Sequence, residues 1–299
     1  MHSSELLTTT ALDFLRGRRE GEPWYVYLSY LAPHDPRTMP KRFLDMYPPE
    51  EIQLPENFAP EHAFDFGISE IRDELLVGYP RKEEEVRKEI AEYYAMVTHL
   101  DDELGRLLDG LEERGELENT IILLAGDNGL AVGNHGLMGK QNLYDHSVRV
   151  PLVMAGPGIP KGQKNDRFVY LLDVFPTLCE LTGLPIPASV EGRSFAPMFA
   201  DSGYSIRDDL YFVYNNMLRG VKDGRYKLIE YRCTATMTQL FDLQNDPQEM
   251  HNLYGEPGYE DVYRRLTERL LAYREGWQDE AHYFGKEFWS AYDKTAARP

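Results

Sequence analysis

The sequence predicts an α/β fold: a parallel sheet covered by helices, followed by a small antiparallel sheet with one covering helix. Three observations carry that expectation. Apolar runs at Trp24–Leu31, Ile121–Gly126 and Val148–Met154 have strand character, and a long helical period lies between the first two. After Ser202 the texture shifts to short strand-like runs, Leu210–Tyr214, Leu218–Val221, Tyr226–Tyr231 and Gln239–Leu243. Helical spacing then returns over Tyr259–Trp277 through Val262, Leu266, Leu270, Leu271 and Tyr273. The shift divides the chain into a core, residues 1–203, and a C-terminal subdomain with helix and tail, residues 204–299.

Taken in order, Ser3 or Ser4 is expected to cap an amphipathic helix carrying Leu6, Leu7, Leu12, Phe14 and Leu15. A basic cluster ends it, which is the reverse of a secretory charge order. Trp24–Leu31 is aromatic and nearly continuous, so it reads as a buried strand that breaks at Ala32-Pro33-His34-Asp35-Pro36. Residues 36–80, rich in Pro and acidic groups without sustained period, read as a long surface excursion. From Glu83 to Arg114, Ile90, Tyr93, Tyr94, Val97, Leu100, Leu104, Leu107, Leu108 and Leu111 keep a helical period, which predicts one long helix with one buried stripe. Gly115 is placed to end it. Asp101-Asp102 falls mid-helix and reads as a solvated face. Residues 171–183 predict a short helix, with Pro176 tolerable in its first turn and Gly183 as its stop. Asp223-Gly224 supplies a hairpin turn between two of the late strands.

At 299 residues the chain can bury a sizeable core. With 32 Lys and Arg against 50 Asp and Glu, its formal charge is −18. That balance opposes nucleic acid and anionic membrane surfaces as partners, because both need a basic face. An anionic substrate would need local cations against this background field. The two cysteines, Cys179 and Cys233, set no redox compartment, and no apolar run reaches the length of a membrane span.

Chemistry concentrates in Thr120–Gly158. The run Ile121–Gly126 leads straight into Asp127-Asn128-Gly129, and a loop with His135-Gly136 and Gly139-Lys140 follows. Ligands in open α/β sheets bind beyond the carboxyl ends of strands. A carboxylate beside a carboxamide there suits a hard cation, although two oxygens cannot complete a sphere of six or so. Lys140 offers a point charge to a sulfuryl or phosphoryl oxygen. His34, at the end of another strand-like run, would bind the ester or protonate a leaving oxygen. As a turn histidine between Pro33 and Pro36 it also has a purely structural reading, and so does His135.

These motifs resemble the sulfatase family, a branch of the alkaline-phosphatase superfamily. The resemblance rests on Gly126-Asp127-Asn128-Gly129, Gly133-Asn134-His135-Gly136, Gly139-Lys140, Arg149-Val150-Pro151-Leu152 and Gly156-Pro157-Gly158. It extends to Leu28-Ser29-Tyr30 with Pro33-His34-Asp35-Pro36, and to Gly105-Arg106-Leu107-Leu108. Further on it takes in Asp173–Thr177, Glu191-Gly192-Arg193-Ser194, Arg225-Tyr226-Lys227-Leu228, Leu240–Leu243 and Asp246-Pro247. It implies part of an alkaline-phosphatase-like sheet and a metal-dependent hydrolase of sulfuric esters, acting on a sulfated sugar or an aryl sulfate. By that resemblance Asp127 and Asn128 are metal ligands, for Ca2+ or alternatively Mg2+ or Mn2+. Lys140 and His34 are catalytic, and both bind substrate together with His135.

Asp145 stands where many members carry Glu. The family's Asp-Asp strand and the Cys-x-Pro-Ser-Arg or Ser-x-Pro-Ser-Arg motif that yields formylglycine do not occur in residues 1–299, and neither cysteine has such surroundings. The chain is therefore expected to carry the carboxyl half of the core without the nucleophile and to be inactive alone, the missing part belonging either to a truncated gene or to a separate N-terminal chain. Two other readings stay open: a non-catalytic fragment that binds a partner or an anion, and a phosphonate or phosphate ester hydrolase. The compartment is not specified by these residues; relatives of this texture are often periplasmic or secreted.

Overall fold

The computed structural model describes residues 2–19 and 21–296. The chain divides into two compact units that interleave in sequence. One comprises residues 1–55, 77–122 and 154–157, and the other residues 56–76, 123–153 and 158–299.

In the first unit, helix α1 (Ser3–Gly17) packs on helix α2 (Glu83–Glu113). Neither serine caps α1. His2 does so instead, its Nδ1 accepting from Ser4 N at 3.3 Å while Glu5 Oε2 accepts from His2 N at 2.9 Å. An imidazole acceptor thus completes a reciprocal capping box that Ser3 and Ser4, already inside the helix, cannot. Ala11, Leu12 and Leu15 are buried on α1, and Leu12 lies over Gly110, where an added Cβ would stand 2.3 Å from Leu12 Cδ2.

The length of α2 matches expectation, but its buried face does not. The covered residues are Val86, Ile90, Ala91, Ala95, Met96, His99, Glu103 and Leu111, while Tyr94, Val97 and Leu108 are exposed. Ile90 and Leu111 of the expected stripe are buried, Tyr93, Leu100, Leu104 and Leu107 are half-buried, and Ala91, Ala95, His99 and Glu103 join the covered face. Asp101 and Asp102 are exposed, and Gly115 follows the helix with φ +68°. Trp24–Leu31 joins no strand, and its side chains alternate between exposed and half-buried, with Tyr25 and Tyr27 more than 70% exposed. No described strand forms a ladder with it, so its β-rich composition has no partner to act on.

Strands β1 (Ile122–Ala125) and β2 (Leu152–Ala155) hydrogen-bond into a two-stranded sheet. They are shorter and more open than the sequence predicts: Leu124 and Val153 are exposed, and Asp145–Val148 forms one helical turn rather than the start of a strand.

In the second unit, α3 (Val174–Thr182) ends at Gly183 with φ +71°. Strands β3 (Leu210–Tyr214), β4 (Leu218–Lys222), β5 (Tyr226–Arg232) and β6 (Thr236–Asp242) form an antiparallel meander in that order. Two helices cover it, where one is expected from sequence: α4 (Glu260–Gly276) and α5 (Tyr283–Ala296). Leu266, Leu270, Phe288, Trp289 and Tyr292 join Tyr211, Val221, Leu228 and Leu240 in one core. The opposite sheet face carries Leu218, Ile229, Tyr231 and Phe241, which pack with Ala131, Leu137, Leu143 and Tyr144. Phe66 and Ile68, from the expected surface excursion, are buried in that same core. Residues 56–76 are thus a packed strap whose few large apolar groups do the anchoring.

Candidate functional site

The Asp127-Asn128-Gly129 turn follows β1 directly. Its sharpness has a steric cause: a Cβ on Gly129 would lie 2.0 Å from His146 O, and Gly129 N donates to Ser147 O at 2.9 Å. Asp127 and Asn128 are both exposed. Asp127 Oδ1 accepts from Asn128 N at 2.9 Å, and Asn128 Nδ2 donates to Gly129 O at 2.8 Å, so the amide nitrogen faces the turn. A carboxylate and a carboxamide oxygen, exposed on one turn, are donor types that a hard divalent cation takes.

The loop beyond is folded on itself. Ala131 N donates to Gly139 O at 2.9 Å and Gly133 N to Leu137 O at 2.8 Å, which brings Lys140 out beside residues 129–131. Two neighbouring acids hold its far end. Fully buried Glu74 accepts from Met138 N at 3.0 Å and from Gly139 N at 2.9 Å. Asp73 accepts from Gln141 Nε2 at 2.9 Å. Burial acts to raise the Asp73 carboxyl, but bonds from Gln141 and Arg72 and the charges of Arg72 and Lys140 hold it below its ordinary value.

His135 adopts φ +51° and stacks on Tyr144, centroids 4.1 Å apart. Asn57 clamps the bend: its carbonyl oxygen accepts from His135 N at 2.8 Å, and its side-chain Nδ2 lies 3.0 Å from His135 Nε2. The same side chain also accepts from Asn134 Nδ2 at 2.9 Å and donates to Gln248 O at 3.0 Å. Gly136 has φ +74°, and a Cβ there would meet the Glu61 backbone at 2.3 Å. His62 Nδ1 lies 2.9 Å from His135 O, and His146 stacks on Tyr144 at 5.6 Å. Burial, with His62 nearby, pushes His135 down to about 4; burial, with His135 nearby, pushes His146 down to about 3. Both rings are neutral at pH 7.

Beneath this loop, fully buried Lys227 pairs with Asp145 and with Glu249 (2.7 Å), and it donates to Leu143 O at 3.1 Å. Lys222 reaches the other Asp145 oxygen at 2.7 Å. Burial would raise the Asp145 carboxyl, but the two ammonium groups bring it to about 2. Asp173 is likewise a fastening: fully buried, it accepts from Tyr170 N (2.6 Å) and Arg193 N (2.8 Å) and pairs with Arg207.

His34 belongs to the first unit, in a turn where its N–H donates to Leu31 O at 2.9 Å and its Nδ1 lies 2.7 Å from Asp35 O. Asp127, Asn128, His135 and Lys140 belong to the second. The supporting residues Asn57, Glu74, Tyr144 and Glu249 carry no motif of their own. Lys227 sits inside one, Arg225-Tyr226-Lys227-Leu228, but as a strand lysine it has no local signal of burial. Cys179 is buried and Cys233 half-buried, both free, with the Cys233 thiol raised by burial.

The sulfatase family model matches residues 1–184, and that for the C-terminal part of N-sulphoglucosamine sulphohydrolase matches residues 133–276. An arylsulfatase of Clostridium perfringens is 30% identical over 302 residues, covering 98% of this chain and 62% of the relative. The first curated relatives are matched over 52% to 62% of their length. Among solved structures, BT4656 in complex with its substrate D-glucosamine-2-N,6-O-disulfate superposes with a TM-score of 0.82 at 22% identity, over 93% of this chain and 70% of that one. The phosphonate monoester hydrolase of Agrobacterium radiobacter gives 0.78 at 25%, over 91% and 60%.

Proposed function

The chain belongs to the sulfatase family, and on that premise we propose that it supplies the metal- and anion-binding half of a sulfuric-ester hydrolase. The observation that carries this is the rigid Asp127-Asn128-Gly129 turn at the end of β1, with its exposed carboxylate and carboxamide followed by a tightly fastened lysine loop. Asp127 and Asn128 would hold a divalent cation, Ca2+ or alternatively Mg2+ or Mn2+. When bound, that cation supplies Lewis-acid polarisation of the ester oxygens. Lys140 binds a sulfuryl oxygen and offsets its charge, and its loop keeps it in place because Glu74 and Ala131 fix Gly139 on both sides. His34 serves the leaving oxygen as ligand or proton donor. His135, with its ring on Tyr144 and its Nε2 at Asn57, contributes to the anion site chiefly by shaping the loop.

A sulfated sugar or an aryl sulfate is the proposed substrate, supported by the arylsulfatase relative and by the disulfated glucosamine bound to BT4656. A phosphonate or phosphate ester is the second reading, favoured by the likeness to a phosphonate monoester hydrolase. Residues 1–203 are the proposed core part and residues 204–299 the C-terminal subdomain. Cys179 is buried and burial raises the Cys233 thiol, so a formylglycine-bearing segment outside residues 1–299 is the proposed source of the nucleophile.

Two measurements test this. Purified alone, the chain is expected to show no turnover of an aryl sulfate in the presence of calcium; turnover that is lost in Lys140→Ala would overturn the absence of a nucleophile. Calorimetry should show weak calcium binding, about millimolar with two protein ligands, abolished by Asp127→Ala. Binding indifferent to that substitution would overturn the metal site.

A further inference from the structure

The face of α2 turned to α1 buries two residues that an apolar seam would not choose. His99 and Glu103 are 1% and 2% exposed, and they stand one turn apart on the same side of the helix. The first turn of α1 adds Glu5. His99 Nε2 lies 3.9 Å from Glu5 Oε1 and 3.8 Å from Glu103 Oε1, too far for hydrogen bonds, and it is buried with no hydrogen-bond partner. The three donor atoms fall within 4.8 Å of one another.

Each group is held in this pose from behind. Phe43 stacks on the His99 ring at 4.9 Å, and His2 meets its edge at 4.7 Å. The second oxygen of Glu5 is occupied by His2 N at 2.9 Å, and that of Glu103 by Arg106 Nη1 at 2.6 Å. One oxygen of each carboxylate is thereby aimed at the imidazole. His2 itself is engaged, at Ser4 N through Nδ1 and at Thr38 Oγ1 through Nε2.

We propose that Glu5, His99 and Glu103 form a binding site for a divalent transition-metal cation of the zinc type, which fastens the start of α1 to α2. A buried imidazole nitrogen without a hydrogen-bond partner and two converging carboxylate oxygens are a cost that such a cation removes. One nitrogen and two single oxygens suit zinc better than calcium, which takes six to eight oxygens. Three protein ligands leave a fourth position for water, reached past Glu5, whose side chain is 30% exposed. Metal–ligand bonds of about 2.0–2.2 Å set donor atoms about 3.3–3.6 Å apart, so each carboxylate oxygen must approach the imidazole by roughly half an ångström and the two oxygens must close from within 4.8 Å, by side-chain rotation. The clamped second oxygens are the outer contacts that orient metal ligands.

The site shares no residue with the proposed Asp127 site, so the two can be tested separately. The chain is stripped with a chelator and titrated with Zn2+ alone by calorimetry, and Co2+ is added in parallel to read its visible absorption. One Zn2+ per chain is expected at micromolar affinity or tighter, with a tetrahedral-type Co2+ band and a raised melting temperature. Glu5→Gln and Glu103→Gln should each weaken Zn2+ binding by about tenfold or more, while Asp127→Ala leaves it intact. Glu5 is half-buried at a helix start, so its variant is the one expected to stay folded, and circular dichroism checks this. No zinc binding, or binding unchanged in folded Glu5→Gln, would overturn the proposal.

Discussion

At the scale of single residues, the candidate loop depends on groups that never meet a substrate. Lys227 is the clearest case. It is fully buried between Asp145 and nearly buried Glu249, whose second oxygen accepts from Asp145 N at 2.6 Å. Removing the ammonium leaves two carboxylates facing each other out of water, and breaking a buried pair costs about 3–5 kcal/mol. Lys227→Met is therefore expected to lower unfolding stability by roughly 3 kcal/mol in urea titration, and adding Glu249→Gln should recover part of it. A loss below about 1 kcal/mol would mean that the pair contributes little beyond its own desolvation. Sequence reading reached Asp145 and Lys227 as motif members but not as partners, since 82 positions separate them.

At the scale of elements, the helix α5 shows where periodicity is insufficient. Its buried residues Phe288, Trp289 and Tyr292 occupy one short stripe inside a polar stretch, so residues 281–299 read as a tail. What docks the helix is tertiary. Trp289 Nε1 donates to Asp279 Oδ2 at 2.7 Å, and Asp279 also takes Tyr211 OH at 2.8 Å and Arg219 Nε at 2.6 Å from the sheet. Trp289→Ala should cost about 3–5 kcal/mol by cavity formation, whereas Trp289→Phe keeps most of the volume and loses the indole bond, for an intermediate loss. Equal losses for both would place the whole effect in the hydrogen bond. The strap at residues 56–76 teaches the same lesson, since Phe66 and Ile68 lie in a stretch without sustained period and only the facing core reveals their use.

At the scale of the whole molecule, stability is expected to fall on mild acidification. The folded-state values of His135 and His146, about 4 and 3, lie below the ordinary histidine value near 6.5. Between those values the unfolded chain binds protons that the folded chain refuses, so stability is full above pH ~6.5 and declines as pH falls towards 4 and then 3. Each histidine contributes a slope of up to about 1.4 kcal/mol per pH unit. The depressed carboxyl of Asp145 adds a later loss, from pH ~4 down to about 2. Urea midpoints measured from pH 7.5 to 4.5 should drop steadily, less so in His146→Gln, and a flat profile would mean that these rings are solvated. Among the described residues no helix is long and apolar enough to cross a membrane.

The sequence by itself determined the family, the late antiparallel meander, the long helix and the candidate residues Asp127, Asn128, Lys140 and His34, because turn chemistry, period and motif order are local properties of the chain. Only the tertiary structure decided which apolar runs are covered, since Trp24–Leu31 and β2 have strand composition yet present exposed side chains. It alone turned Asn57, Glu74 and Lys227 into the frame of the loop, and it alone brought Glu5 to His99 and Glu103. The physical reason is one and the same: burial and pairing are properties of distance in space, and residues such as Glu5 and His99 carry no local pattern that marks them as neighbours.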